Sequence, residues 1–249
     1  MKIRGPLTLS LLGFLVAAST MTSAEENLEQ LIIGGKPNPA RGPLIVPNYL
    51  ATQDFQEAAH TLSDAARMQE VYQASEFSTG PILITGFYWR PTANPQYGFP
   101  FHTIDRDFQL RLSTTSRQPD QLSSVFAENI GRDEQVVFKG PLAISSRFQD
   151  AAGGTKKFDI YVHLKHPFFY DPAKGNLLMD IRNFQASTAA FVSEYGLNGD
   201  GGSRAVALDP NATTASFTDT GIDVIEVVFT RAGRAPFPFL ERAQFSNSN

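Results

Sequence analysis

The chain has 249 residues, with 21 Lys+Arg, 25 Asp+Glu and no cysteine, for a formal charge of −4. A mildly acidic chain whose basic residues are scattered does not attract a phosphate backbone, so nucleic acid is not an expected partner. Lacking cysteine, it cannot use disulfides, zinc–thiolate sites or a cysteine nucleophile, and its stability must come from a packed core.

Lys2 and Arg4 form a short basic start, and Leu7 to Ala18 is an apolar run broken by Thr8, Ser10 and Gly13. Thr22-Ser23-Ala24 places small residues where a signal peptidase reads, and Glu25-Glu26 opens a polar stretch. This order is that of a secretory signal peptide, and the apolar run is about half the length a bilayer span needs. Residues 1–24 are therefore expected to be cleaved and the protein exported. Cleavage removes two positive charges, leaving 19 Lys+Arg against 25 Asp+Glu, a net charge near −6. No later stretch approaches the apolar length of a membrane-spanning helix.

Residues 25–66 read as an irregular lead-in. Gly34, Gly35, Pro37, Pro39, Gly42, Pro43 and Pro47 interrupt its first half. Ala58, Ala59, Leu62, Ala65 and Ala66 then have near-helical spacing, which predicts a short helix. Met68 to Phe77 either continues it or forms a first strand.

From there the pattern is β. Pro81 to Arg90 is an apolar strand. Ile104, Phe108, Leu110 and Leu112 share one parity and Asp105, Asp107, Gln109 and Arg111 the other, as in a half-buried strand. Leu122, Val125, Phe126 and Ile130 follow helical spacing up to Gly131, predicting a short amphipathic helix. Val136 to Ile144, Phe158 to Leu164 and Asn176 to Phe184 are strands, with weaker ones at Ala189–Tyr195 and Arg204–Leu208 and a late apolar one at Ile222–Thr230. The expected fold is all-β: a single β-sandwich, jelly-roll-like, over residues 67–231, with about eight strands, one or two short helices and a tail at 232–249.

Tyr170-Asp171-Pro172-Ala173-Lys174-Gly175-Asn176 has the residue order of a turn that satisfies its own backbone between two strands. Together with Phe168-Phe169 before it and Leu177-Leu178-Met179-Asp180-Ile181 after it, it resembles a block of secreted bacterial β-sandwich proteins. These often carry a PEP-CTERM sorting signal and are associated with exosortase-bearing, exopolysaccharide-producing bacteria. Further blocks fit the same group: Arg67 to Tyr72 through Phe77, Ile84-Thr85-Gly86-Phe87 with Arg90-Pro91, Leu112 to Ser116, and Leu122-Ser123 with Phe126 to Gly131. They span roughly residues 67–184. The resemblance implies an exported, polysaccharide-associated protein and brings no catalytic residues to map. The chain departs from the group at its end, Ala235-Pro236-Phe237-Pro238-Phe239-Leu240 and a Ser/Asn tail, which is not a sorting signal.

The chemistry-bearing residues are sparse. His163 and His166 lie three apart, so on an unbroken strand they face opposite sides and do not chelate together. His60 and His102 would have to join them through the fold, and no metal or other cofactor is expected. Asp105 and Asp107 share a strand parity, and Asp223 sits on another strand. A solvated sheet face explains such carboxylates as well as a hydrolase pair does. Asn198-Gly199-Asp200-Gly201-Gly202 offers oxygen ligands but not the full pattern of a calcium loop, and reads as a Gly-rich turn. Phe87, Tyr88, Trp89 and Arg90 form an aromatic strand end, and Tyr88, Trp89 and Arg90 are the candidate glycan platform. Two functions stay open: a secreted non-catalytic surface or matrix protein, with polysaccharide or other surface proteins as partners, and a secreted polysaccharide hydrolase with paired carboxylates.

Overall fold

The computed structural model describes residues 43–55, 57–186 and 190–231. All of them belong to one unit, Pro39–Asn249. The expected signal segment 1–24, residues 25–42 and 56 of the lead-in and the tail 232–249 lie outside the described residues.

The fold is an all-β sandwich built from three antiparallel sheets. The six-stranded sheet has the order β11-β10-β3-β8-β5-β6. It comprises β3 (Ala66–Tyr72), β5 (Phe101–Thr115), β6 (Gln135–Ser146), β8 (Asn176–Asn183), β10 (Gly202–Ala207) and β11 (Phe217–Asp219). The four-stranded sheet, β1-β13-β4-β7, comprises β1 (Leu44–Val46), β4 (Ile82–Trp89), β7 (Ile160–Tyr170) and β13 (Ile225–Arg231). A small third sheet joins β12 (Ile222–Asp223), β9 (Val192–Tyr195) and β2 (Glu57–Ala59).

Period-2 alternation creates the core. Phe108, Leu110 and Leu112 of β5, with Leu177, Met179 and Ile181 of β8, share one buried cluster with Ile84, Phe87 and Trp89 of β4 and Ile160, Val162 and Leu164 of β7. Apolar side chains from both larger sheets thus meet in one interior, where each fully buried aliphatic or aromatic group contributes about 1.5–3 kcal/mol relative to exposure. The strands expected from alternation are present but differ in extent: β5 runs from Phe101 to Thr115, β7 continues past Leu164 to Tyr170, and the late apolar stretch divides into β12 and β13.

Two helix expectations fail. Ala58 and Ala59 belong to β2, and Ala66 opens β3. β3 pairs on both sides, with β10 and β8, and every residue in it is buried. Ladder bonding on two edges outweighs the helix propensity of Ala. The 122–131 segment condenses to one 3-10 turn, Phe126–Glu128. Its spacing reflects a single anchor: Phe126 is fully buried against Ala205 and Ala207 on the outer side of the six-stranded sheet.

The Tyr170–Asn176 turn satisfies its own backbone, but it joins two sheets rather than forming a hairpin, since β7 and β8 lie in different sheets. Asp171 Oδ1 accepts from Ala173 N at 3.1 Å, and the Tyr170 hydroxyl donates to Gly175 O at 2.9 Å. Gly175 takes φ +152°, and a Cβ there would lie 2.5 Å from Thr115 O. Asn176 then stitches two neighbours, accepting from Ala74 N at 2.8 Å and donating to Arg117 O at 2.7 Å.

Candidate functional site

The expected platform divides in two. Trp89 and Arg90 are both fully buried and cannot stack on a ligand at the surface. Trp89 faces the core as its parity requires, and its Nε1 donates to Asp223 Oδ2 at 2.9 Å. Arg90 lies one residue past the end of β4, where alternation no longer governs direction. Its guanidinium donates to Leu50 O at 3.0 Å, Gln53 O at 2.8 Å and Ser193 Oγ at 3.2 Å. It clamps the 50–53 segment to β9. Only Tyr88 remains at the surface.

Tyr88 belongs to a row that crosses the outer face of the four-stranded sheet. Ladder partners place Ile45 of β1 beside Glu226 of β13, Glu226 beside Tyr88, and Tyr88 beside Tyr161 of β7. Directly opposed residues point to the same side of a sheet. The Tyr88 and Tyr161 rings stack with centroids 4.3 Å apart and planes 23° from parallel. Gly86 makes room for this arrangement: a Cβ there would lie 2.8 Å from Tyr161 Cε2 and 2.9 Å from its hydroxyl. The Tyr161 hydroxyl is 3.1 Å from His163 Nδ1. Tyr88, Tyr161 and Glu226 are half-exposed, and His163 and Phe169 of β7 are exposed on the same strand system.

Glu226 also lines an open cavity of about 370 Å³, together with Ile45, Ala51, Ala151, Lys156 and Phe158 among others. It is the only acid among the described lining residues. Burial raises its carboxyl above the ordinary range. The two lysines of the lining are engaged elsewhere. Lys156 Nζ is 2.6 Å from Asp150 Oδ1 and sits 3.8 Å from the centre of the Phe148 ring. Lys157 donates to Gln149 Oε1 at 3.2 Å.

A second constellation escaped the sequence reading. Glu70 of β3 and Asp223 of β12 are both fully buried. Asp223 N donates to Glu70 Oε1 at 3.2 Å. The Tyr72 hydroxyl is 3.0 Å from Glu70 Oε2 and 3.2 Å from Asp223 O. Thr61 donates to Asp223 Oδ1 at 2.9 Å, opposite the Trp89 contact. One hydroxyl hydrogen cannot serve both neighbours of Tyr72. A proton on Glu70 completes the set: Glu70 donates to Tyr72, and Tyr72 donates to the Asp223 carbonyl. Burial, followed by the charge of Asp223, pushes the Glu70 carboxyl well up. Burial, followed by Glu194, raises Asp223 to about 7. Arg204 of β10 opposes both shifts and is itself paired with Glu194 and with Asp219 at 2.8 Å. The available signal was an acid set among mostly apolar neighbours in each case, Glu70 within Met68–Tyr72 and Asp223 within Ile222–Ile225.

The other carboxylates separate. A register shift between Asp105 and Phe108 breaks the shared parity, so Asp105 is buried while Asp107 is exposed. Burial raises Asp105 to about 6. Asp223 lies inside the fold, not on a solvated face. Asp200 is consumed by its own turn: Oδ2 accepts from Leu197 N at 2.7 Å and the Tyr49 hydroxyl at 2.8 Å, and Oδ1 from Gly202 N at 3.2 Å. His163 and His166 are both exposed, and His60 pairs with Asp64 at 3.2 Å. Among the described residues, no group of three or more His, Asp or Glu is arranged to hold a metal ion, and no helix is long and apolar enough to cross a membrane. No family model, curated protein or solved structure matches the chain.

Proposed function

We propose that this is an exported, non-catalytic β-sandwich protein of the cell surface or extracellular matrix that holds polysaccharide on the outer face of its four-stranded sheet, and that it groups with the secreted proteins its sequence blocks resemble. The observation that carries this reading is the stacked Tyr88–Tyr161 pair, half-exposed beside the Glu226 cavity. Aromatic faces with a polar tip suit pyranose rings, which offer C–H surface bordered by hydroxyls. The hydrolase alternative has less support. Glycoside hydrolysis uses two carboxyls about 5–10 Å apart across a substrate. Of the acids considered for that role, Asp105 and Asp223 are buried, and the open cavity has one acid among its described lining residues.

The test uses the full chain, recovered from the exported fraction with its N-terminus sequenced. Export predicts a start at Glu25. The protein is then passed through gels containing bacterial or plant polysaccharides, with eluates assayed for new reducing ends. Retention of the parent, loss of retention in Tyr161→Ala with an unchanged unfolding midpoint, and no new reducing ends is the expected result. Equal retention of Tyr161→Ala would overturn the site, and new reducing ends would move the protein to the hydrolase class.

A further inference from the structure

Glu226 stands out among the charged groups on the outer face of the four-stranded sheet. It is half-buried, it lines the cavity, and among the described residues it has neither a hydrogen-bond donor nor a cation as partner. The groups around it do not neutralise it. From β4 it faces Tyr88, and from β1 Ile45. From the loop before β7 come Phe158, Lys156 and Lys157, whose ammonium groups are held by Asp150 and Gln149. A carboxylate removed from water without a partner is costly, and a cation brought to it recovers that cost. The remaining lining is largely apolar, with Ile45, Ala51, Ala151 and Phe158 forming a wall that suits the ring of a ligand rather than a small hydrated ion.

We propose that this cavity selects a polysaccharide carrying free amino groups, with the ammonium of one sugar seated on Glu226 and neighbouring rings lying along Tyr88 and Tyr161. The inference rests on the glycan reading above and adds the class of sugar. An unpartnered carboxylate in the cavity wall, in line with an aromatic row that begins at the same residue, carries it; of the two lysines in the lining, Lys156 is neutralised by Asp150, and Lys157 keeps its charge while its ammonium is turned to Gln149. An N-acetylated sugar presents a neutral amide instead and forfeits the charge-assisted hydrogen bond. Because burial raises the Glu226 carboxyl, an arriving ammonium also favours its ionised form, so the pair forms with release of a proton in the range where Glu226 is still partly protonated.

The experiment measures binding of the full chain at pH 6 to three hexamers, of glucosamine, N-acetylglucosamine and glucose, and to polylysine. The glucosamine hexamer is expected to bind at least about tenfold tighter than the N-acetylated one, the scale of one charge-assisted hydrogen bond. Glu226→Gln is expected to reduce that ratio to about twofold or less. Tyr161→Ala weakens all three alike. Equal binding of aminated and acetylated hexamers overturns the amino-sugar proposal and leaves the glycan reading standing. Binding of no hexamer overturns both. Tighter, Glu226-dependent binding of polylysine than of the glucosamine hexamer also overturns it, by assigning the carboxylate to a basic peptide.

Discussion

Replacing Asp223 with Asn tests whether a buried acid cluster makes this fold weaken as pH rises. The folded protein holds the Asp223 proton to about pH 7, against an ordinary value of 3.8. A carboxyl raised on folding stabilises the native state fully below its unfolded value and loses that contribution as pH climbs through the folded one. Each unit is worth about 1.4 kcal/mol, so a shift of this size is worth on the order of 4 kcal/mol between pH 4 and 8, shared between Asp223 and the Glu70 carboxyl beside it. Asn fits the same space. Its oxygen accepts from Trp89 Nε1, its amide donates to Thr61 Oγ1, and the Thr61 hydroxyl turns to Met68 Sδ, which lies 3.4 Å away. The rearrangement costs about 1 kcal/mol, one hydrogen bond's net worth. Asp223→Asn is therefore expected to be slightly less stable than the parent at pH 5 and clearly more stable at pH 8. Urea midpoints at pH 5, 6, 7 and 8, with m-values compared for constancy, measure this. Glu70, Asp105, Glu194 and Glu226 are also raised, so the parent's decline sums several groups, and the difference between parent and variant reports Asp223 together with its effect on Glu70. Glu70→Gln provides a second arm on the same cluster, because its amide reproduces the protonated carboxyl that Tyr72 requires. A parent–variant difference that stays constant across the pH range would refute the argument, as would a variant that weakens faster than the parent.

Two further outcomes follow from contacts on the six- and four-stranded sheets. Asp180→Ala strands Arg67, which is almost fully buried and donates to Asp180 through Nε at 3.2 Å and Nη2 at 2.6 Å. It should cost about 3–5 kcal/mol, a fall in Tm on the order of 10 °C, and a loss under 1 kcal/mol in urea unfolding would contradict it. Gly86→Ala should displace the Tyr161 ring, weakening glycan retention and costing about 1 kcal/mol. Tyr161→Ala added in the same chain should recover part of that stability, and a double-mutant cycle showing no coupling would remove Gly86 from the site.

Much of the fold was legible because its strands are half-buried. Ile160, Val162 and Leu164 alternate against Tyr161, His163 and Lys165, and the structure buries the first set and exposes or half-exposes the second. The pattern misled where an interaction outside the segment took over. Asp105 and Asp107 share a parity, yet a register shift turns one inward. Phe126 mimicked helical spacing although a single buried ring anchors the segment. Of the expected platform, Tyr88 lies on the outer face, whereas Trp89 turns into the core and Arg90, just past the end of β4, bends under the 50–53 segment. Tyr161 and Glu226 were not visible as partners of Tyr88, since they lie 73 and 138 positions further along the chain.

The sequence by itself determined the all-β class, most strand positions and, along regularly alternating stretches such as Ile160–Leu164, which face meets the core, because side-chain alternation is a local property of an extended backbone. Only the tertiary structure decided which strands become neighbours, and with that it assembled both constellations. Glu226, Tyr88 and Tyr161 align because β13, β4 and β7 pair in one register. Glu70 and Asp223 meet because β12 is laid against β3 from a different sheet. Register and sheet packing are set by the sum of many distant contacts, and no short stretch of residues carries that sum.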